Sequence, residues 1–220
     1  MSQFPHRILI ALMRKFFRLL YHQFAWGYDM VSRIVSAGRW QTWVLSVLPD
    51  VTGPVVLEIG HGPGHLLVGM RKSGLGVVGL DESWQMSGLA FSRLVGFGGC
   101  CLLVNGYAQF LPFRSHSFNT IVSTFPSEYI LDPRSLSEAF RVLAPGGTMV
   151  ILPIAWITGK SWYDHLAAWI FRFTGQTGDW EKLYTQYLIS SGFSVRVEYR
   201  ESASSRLLIV HASKSKSSVV

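Results

Sequence analysis

The chain has 220 residues, 49% hydrophobic and 15% charged, with a formal net charge of +7. That length supports one well-buried core and excludes two comfortable domains. A long uncharged stretch, Val142 to Gly159, holds Pro145, Pro153 and paired glycines, which excludes a bilayer span, and Cys100 and Cys101 are adjacent, which excludes a disulfide framework and a four-ligand metal site.

At the N-terminus the apolar run Ile8 to Met13 is cut by Arg14 and Lys15, and no small-residue cleavage site follows, so no secretory signal is predicted. Together with the cysteine usage this predicts a reducing, cytoplasmic setting. Residues 1–50 carry six Lys/Arg against Asp29 and Asp50, whereas residues 51–113 balance to zero. From Arg7 to Phe24 the polar positions recur at helical spacing, predicting a basic amphipathic helix. Its Arg14, Lys15 and Arg18 suit a peripheral contact with an anionic membrane surface; the same helix would also serve as a cap over a pocket, and the cap is preferred. A second helix is predicted over Asp29 to Val47, ending at Pro49.

Beyond Pro54, short apolar runs alternate with helical stretches, the pattern of successive βα units. Core strands are predicted at Val55–Ile59, Gly76–Leu80, Cys101–Val104, Thr120–Thr124 and Thr148–Leu152, with helices at His65–Ser73, Ser83–Val95 and Arg134–Leu143. An aromatic segment follows through Trp156, Trp162, Tyr163, Trp169 and Phe171, either a lid over an apolar acceptor or ordinary packing. A helix Trp180–Ser191 and a hairpin of Ser194–Arg200 with Arg206–His211 complete the pattern. The division is a helical extension over 1–50, a doubly wound α/β domain over 51–213 with a mostly parallel sheet, and a polar, disordered tail over 214–220.

The strand Val55–Ile59 runs into Gly60-His61-Gly62-Pro63-Gly64, followed at once by a helix. Alternate glycines let backbone approach a ligand, and the helix start presents free N–H groups. The next strand ends at Asp81, whose carboxylate can accept hydrogen bonds from a ribose diol. A tight βα turn and a solvated acid would explain the same residues, but loop, strand, helix and acid occur in the order a nucleoside site needs. The spacing is GxGxG, which disfavours a dinucleotide pyrophosphate and suits a cofactor without phosphates.

Val56-Leu57-Glu58-Ile59-Gly60-His61-Gly62-Pro63-Gly64 and Val78-Gly79-Leu80-Asp81-Glu82-Ser83 resemble the first two motifs of class I S-adenosylmethionine-dependent methyltransferases. Gly106 to Phe113 followed by Ser117-Phe118-Asn119, the run Arg141 to Gly147, and Ser191-Gly192-Phe193 extend the resemblance over residues 25–213. The subgroup it resembles is the small-molecule enzymes related to quinone C-methyltransferases, which carry a pair like Tyr28-Asp29. The resemblance implies a seven-stranded sheet of order 3-2-1-4-5-7-6 with an antiparallel last strand, and S-adenosylmethionine as cofactor. It implies that Glu58 faces the methionyl amino group, that Gly60, His61, Gly62 and Gly64 form the loop, and that Asp81 and Glu82 hold the ribose end. Ala108 would offer its backbone to the adenine, with Tyr107 and Thr124 in the same site. The family usually has Asp at the positions of Tyr107 and Asn119.

Methyl transfer from a sulfonium is driven by the donor's own charge, so positioning supplies much of the catalysis and no catalytic residue is assigned. The acceptor pocket is expected beyond the fourth strand, with Tyr28, Phe125, Glu128 and Tyr129 as candidates. His61 and His65 stand four apart but straddle the loop, so no metal is predicted. The expected function is methyl transfer to a small, lipophilic acceptor. A nucleic-acid methyltransferase is suggested by the pI of 9.6. It is disfavoured because Thr124-Phe125-Pro126-Ser127 lacks the Asn/Asp-Pro-Pro-aromatic sequence of base-amine enzymes. A non-catalytic cofactor-binding or membrane-docking protein is the remaining alternative.

Overall fold

The computed structural model describes residues 27–98, 101–159, 179–202 and 204–216. The helix expected over Arg7–Phe24, with Arg14, Lys15 and Arg18, lies outside these residues, as do Trp162, Tyr163, Trp169 and Phe171.

The described elements are α1 (Tyr28–Val35), α2 (Trp40–Leu45), β1 (Val55–Ile59), α3 (His65–Lys72), β2 (Gly76–Asp81), α4 (Trp84–Gly96), β3 (Leu102–Asn105) and β4 (Phe118–Thr124). They continue as α5 (Pro133–Val142), β5 (Leu143–Ile157), α6 (Trp180–Ser190), β6 (Ser194–Glu201) and β7 (Ser205–Ser213). The strands form one seven-stranded sheet, ordered β3-β2-β1-β4-β5-β7-β6. β1 to β5 pair in parallel, and β7 runs antiparallel between β5 and β6. This is the implied topology.

Both sheet faces are apolar because both are covered. Leu57, Ile59, Ile121, Met149 and Ile151 face α5 and α6 through Leu136, Ala139, Tyr184 and Leu188. The alternate residues Val56, Val122, Val150 and Leu152 face α2, α3 and α4 through Trp43, Leu66, Leu67, Ala90 and Leu94. Period-two alternation thus places successive residues of one strand in two different cores. Helix starts are capped where the sequence supplies short polar residues. Ser83 accepts from Met86 N on α4, and Asp132 accepts from Arg134 N beside Pro133 on α5.

Three boundaries differ from expectation. The helix predicted over Asp29–Val47 breaks at Ala37 and Gly38, which take left-handed φ values of 51° and 80°, and Gly38 N–H returns to Arg33 O at 2.7 Å. A glycine at that position closes the helix end at low cost, and it turns α2 so that Trp43 is fully buried. β5 is fifteen residues long, well beyond Thr148–Leu152, because β7 pairs along it from Thr148 to Ile157. Nor does the tail begin at residue 214. Lys214 is buried, exchanges backbone hydrogen bonds with Gly146 and Gly147, and donates from Nζ to Phe140 O and Leu143 O. An ammonium there satisfies carbonyls orphaned at the end of α5.

Candidate cofactor and acceptor site

The site lies at the carboxyl ends of β1, β2 and β4, where the strand order turns about β1. The chain leaves β1 in the left-handed region, with φ of 74° at Gly60, 51° at Gly62 and 82° at Gly64. At Gly60 a β-carbon would also come within 2.1 Å of the Tyr129 hydroxyl, so only glycine fits. The loop is bound down onto β2: Gly60 N–H donates to Leu80 O at 2.7 Å, and Gly62 N–H donates to Asp81 Oδ2 at 2.8 Å.

Asp81 is only 1% exposed, so the solvated-acid explanation fails, and it is more deeply set than an open strand tip would be. Its Oδ1 accepts from Ser83 N at 2.9 Å, and its backbone carbonyl accepts from Asn105 Nδ2 and Gly106 N, each at 3.0 Å. The carboxylate therefore organises the loops after β1, β2 and β3 together.

Glu58 is 1% exposed, and its Oε2 receives no hydrogen bond from the described residues. Burial pushes its carboxyl well above the ordinary range, and the negative charge of Asp81 adds to the shift. The same Asp81 charge also raises the Tyr28 and Tyr129 phenols, behind burial in each case, and opposes the downward shift that burial imposes on His61. Four titratable side chains, from α1, from β1 and its loop, and from the segment after β4, thus lie near Asp81. His61 is buried and donates from Nδ1 to Gly62 O at 2.7 Å, while His65 turns to Asp29 Oδ1 at 3.0 Å. The two histidines have different partners and share no ligand position.

Ala108 is buried, whereas the Tyr107 ring is exposed and its carbonyl accepts from Phe110 N at 3.0 Å. The phenol is thus open to solvent. Glu82 and Glu128 are exposed, and Thr124 is half-buried at the end of β4. Tyr129 is half-buried with its hydroxyl 3.5 Å from Ile59 O, on the carbonyl that Ser123 also holds at 2.7 Å. Phe125 takes φ of 49° and stacks on Trp40 with ring centroids 4.5 Å apart, and Tyr28 meets Trp40 edge-on at 6.1 Å. Tyr28, Trp40 and Phe125 form an aromatic wall between the first helices and β4.

Several residues that hold the site carry no local sequence signal. Arg93 of α4 donates to Pro63 O in the glycine loop and to Asp29 Oδ2 on α1, so a single guanidinium ties α4, the loop and α1 together. Burial pushes Asp29 upward less strongly than His65 holds it down. Arg141 donates to Leu111 O at 3.0 Å and Phe113 O at 2.8 Å, and its partner Glu138 accepts from Leu111 N at 2.8 Å. This pair clamps the segment after Ala108. Asn119 accepts from Val55 N at 3.1 Å and anchors the start of β1. Among the described residues, Asp50, Glu198 and His211 bring three donor atoms within 4.8 Å of one another, but Arg200 spans both carboxylates.

A family model described as a methyltransferase domain matches residues 56–147. Demethylmenaquinone methyltransferase of Thermotoga maritima is 31% identical over 162 residues, which cover 69% of this chain and 69% of that protein. The chain belongs to the class I S-adenosylmethionine-dependent methyltransferases. Demethylmenaquinone methyltransferase of Clavibacter sepedonicus is 32% identical over 129 residues, 57% of this chain and 52% of that protein, so the chain spans about half of that relative's length. A putative S-adenosyl-L-methionine-dependent methyltransferase from Methanococcus maripaludis has the same fold, with a TM-score of 0.61 at 20% identity over 89% of this chain and 94% of that one. The cofactor of this family is S-adenosylmethionine, and the site fits it: a buried carboxylate with an unpartnered oxygen suits the ammonium of the methionyl part, and Asp81 suits its ribose hydroxyls.

Proposed function

We propose that this chain transfers the methyl group of S-adenosylmethionine to a small, lipophilic acceptor of the quinone-precursor kind. The observation that carries the reading is Glu58, buried beside Asp81 with one oxygen unpartnered and no cation of the described residues to offset it. Bound there, the cofactor supplies an activated methyl group on a positively charged sulfur. Glu58 would hold the amino group, Asp81 the ribose, and the backbone at Ala108 the adenine, with the Glu138–Arg141 clamp setting that backbone's position. Tyr28, Trp40 and Phe125 would pack against a flat apolar acceptor and exclude water from the transfer path. The tie from Asp29 to His65 and Arg93 supports assigning the N-terminal helices to a cap over this pocket.

Calorimetry on the purified chain should show binding of S-adenosylmethionine and of S-adenosylhomocysteine, and none of NAD. NAD binding without the methionine cofactor would overturn the reading. Radiolabelled methyl should then appear in the organic phase when the chain is incubated with a lipid extract; label entering nucleic acid instead would replace the acceptor class.

A further inference from the structure

The outward face of α4 departs from what a surface helix ordinarily shows. Met86, Ala90 and Leu94 face the core, so the opposite side should carry charge. Instead it presents Trp84, 75% exposed, Phe91, 62% exposed, and Val95, 57% exposed. At about 100° per residue, Trp84, Gly88, Phe91 and Val95 fall within an arc of roughly 60°, a stripe about 17 Å long. Its flanks, Gln85, Ser92 and Gly96, are uncharged. The one charged residue of α4, Arg93, is drawn off to Asp29 and the Pro63 carbonyl. Phe97, just past the end of α4 and off the line of the stripe, is also exposed, with Lys72 Nζ 4.1 Å above its ring. Glu82 is exposed just before α4, but no further aspartate or glutamate occurs until Glu128, while Lys72 sits exposed at the end of α3.

We propose that this face of α4 docks on the surface of an anionic lipid bilayer, with Trp84, Phe91 and Val95 in the interfacial layer and Lys72, at the neighbouring end of α3, beside the headgroups. Large exposed aromatics beside a cation, with acids missing from α4 itself, match a negatively charged apolar boundary. A second copy of the chain is the less complementary occupant, because an isologous interface would bring together two chains that each carry a net charge of +7. Trp84 lies three residues beyond Asp81, so the docked face begins at the rim of the cofactor site. The inference goes beyond methyl transfer and does not rest on it.

The test is flotation of the full chain with vesicles of phosphatidylcholine alone or mixed with phosphatidylglycerol, at low and high salt. The chain should float with the anionic vesicles. The triple variant Trp84→Gln, Phe91→Gln, Val95→Gln should lose about tenfold or more in partitioning, since each residue forfeits burial of an apolar side chain. Lys72→Gln should reduce only the preference for anionic lipid. Calorimetry with S-adenosylhomocysteine on Phe91→Gln, Val95→Gln should match the parent, which separates docking from folding and from the cofactor reading. Unchanged flotation of the triple variant would overturn the proposal. So would loss confined to a variant with Arg14, Lys15 and Arg18 changed to Gln, or a stable dimer in solution that the α4 variant converts to monomer.

Discussion

Two pairs of carboxylates withdrawn from solvent stand in opposite electrostatic states. Where the turn Leu48–Asp50 packs on β6 and β7, Arg200 donates to Asp50 at 2.8 and 3.0 Å and to Glu198 at 2.6 and 2.9 Å. That guanidinium holds the Glu198 carboxyl below its ordinary range, with His211 and Arg196 adding to the effect. At the glycine loop, Glu58 and Asp81 are buried more deeply, yet Asp81 is held by backbone amides and Glu58, among the described residues, by nothing that carries positive charge. An ion cluster that closes on itself serves the fold; buried charge left open costs stability and is kept where a cationic ligand completes it. Folding alone would not select the second arrangement.

The largest expected effect breaks the closed cluster. Arg200→Ala leaves Asp50 and Glu198 facing each other and should cost about 3 kcal/mol, lowering Tm by roughly 6–12 °C, with cofactor affinity unchanged. Thermal melts and calorimetry check both halves. Asp81→Ala acts on both properties at once. It should weaken the cofactor by about 10- to 150-fold, the effect of losing a charge-assisted bond of roughly 1.5–3 kcal/mol. It should also lower stability, because the Gly62 and Ser83 N–H groups lose their acceptor.

Glu58→Gln sharpens the comparison because its two effects have opposite signs. Cofactor affinity should fall by about tenfold, while the cofactor-free protein becomes more stable at neutral pH. The raised carboxyl favours the fold below the usual glutamate value of about 4.3, and that contribution is lost as pH rises through the folded value. Denaturant midpoints should therefore fall with rising pH more steeply in the parent than in the variant. A variant less stable than the parent at neutral pH would remove the contrast between the two clusters. The smallest effect is expected for Asp29→Asn, a half-exposed link contributing about 0.5–1 kcal/mol. Cofactor affinity should weaken about two- to fivefold, and because Asp29 is held below its ordinary value, the difference should vanish as pH falls through that range.

Part of this division is legible in the amino-acid sequence. Periodicity, turn residues and glycine spacing identify β1, β2 and β4 and place Glu58 and Asp81 at strand ends, because those signals are local and the buried parallel strands read as continuous apolar runs. The break at Ala37-Gly38 has a local stop signal in Gly38, but the apolar residues on either side keep helical spacing and mask it, and docking of Trp43 fixes the turn. The length of β5 and the burial of Lys214 were equally hidden, because both depend on β7 returning alongside β5, Ser205 against Ile157 and Ser213 against Thr148, far along the chain.

The sequence by itself determined the order of elements, the glycine loop and the acids that follow it, since each is encoded within a few neighbouring residues. Only the tertiary structure decided which charges are compensated. Arg200 reaches Asp50 across 150 positions, Arg93 reaches Asp29 across 64, and Arg141 reaches Leu111 across 30. No local pattern distinguishes these arginines from others on the surface. The cost of a buried charge is set by what stands within a few ångströms of it in space, and that distance is fixed by packing, not by spacing along the chain.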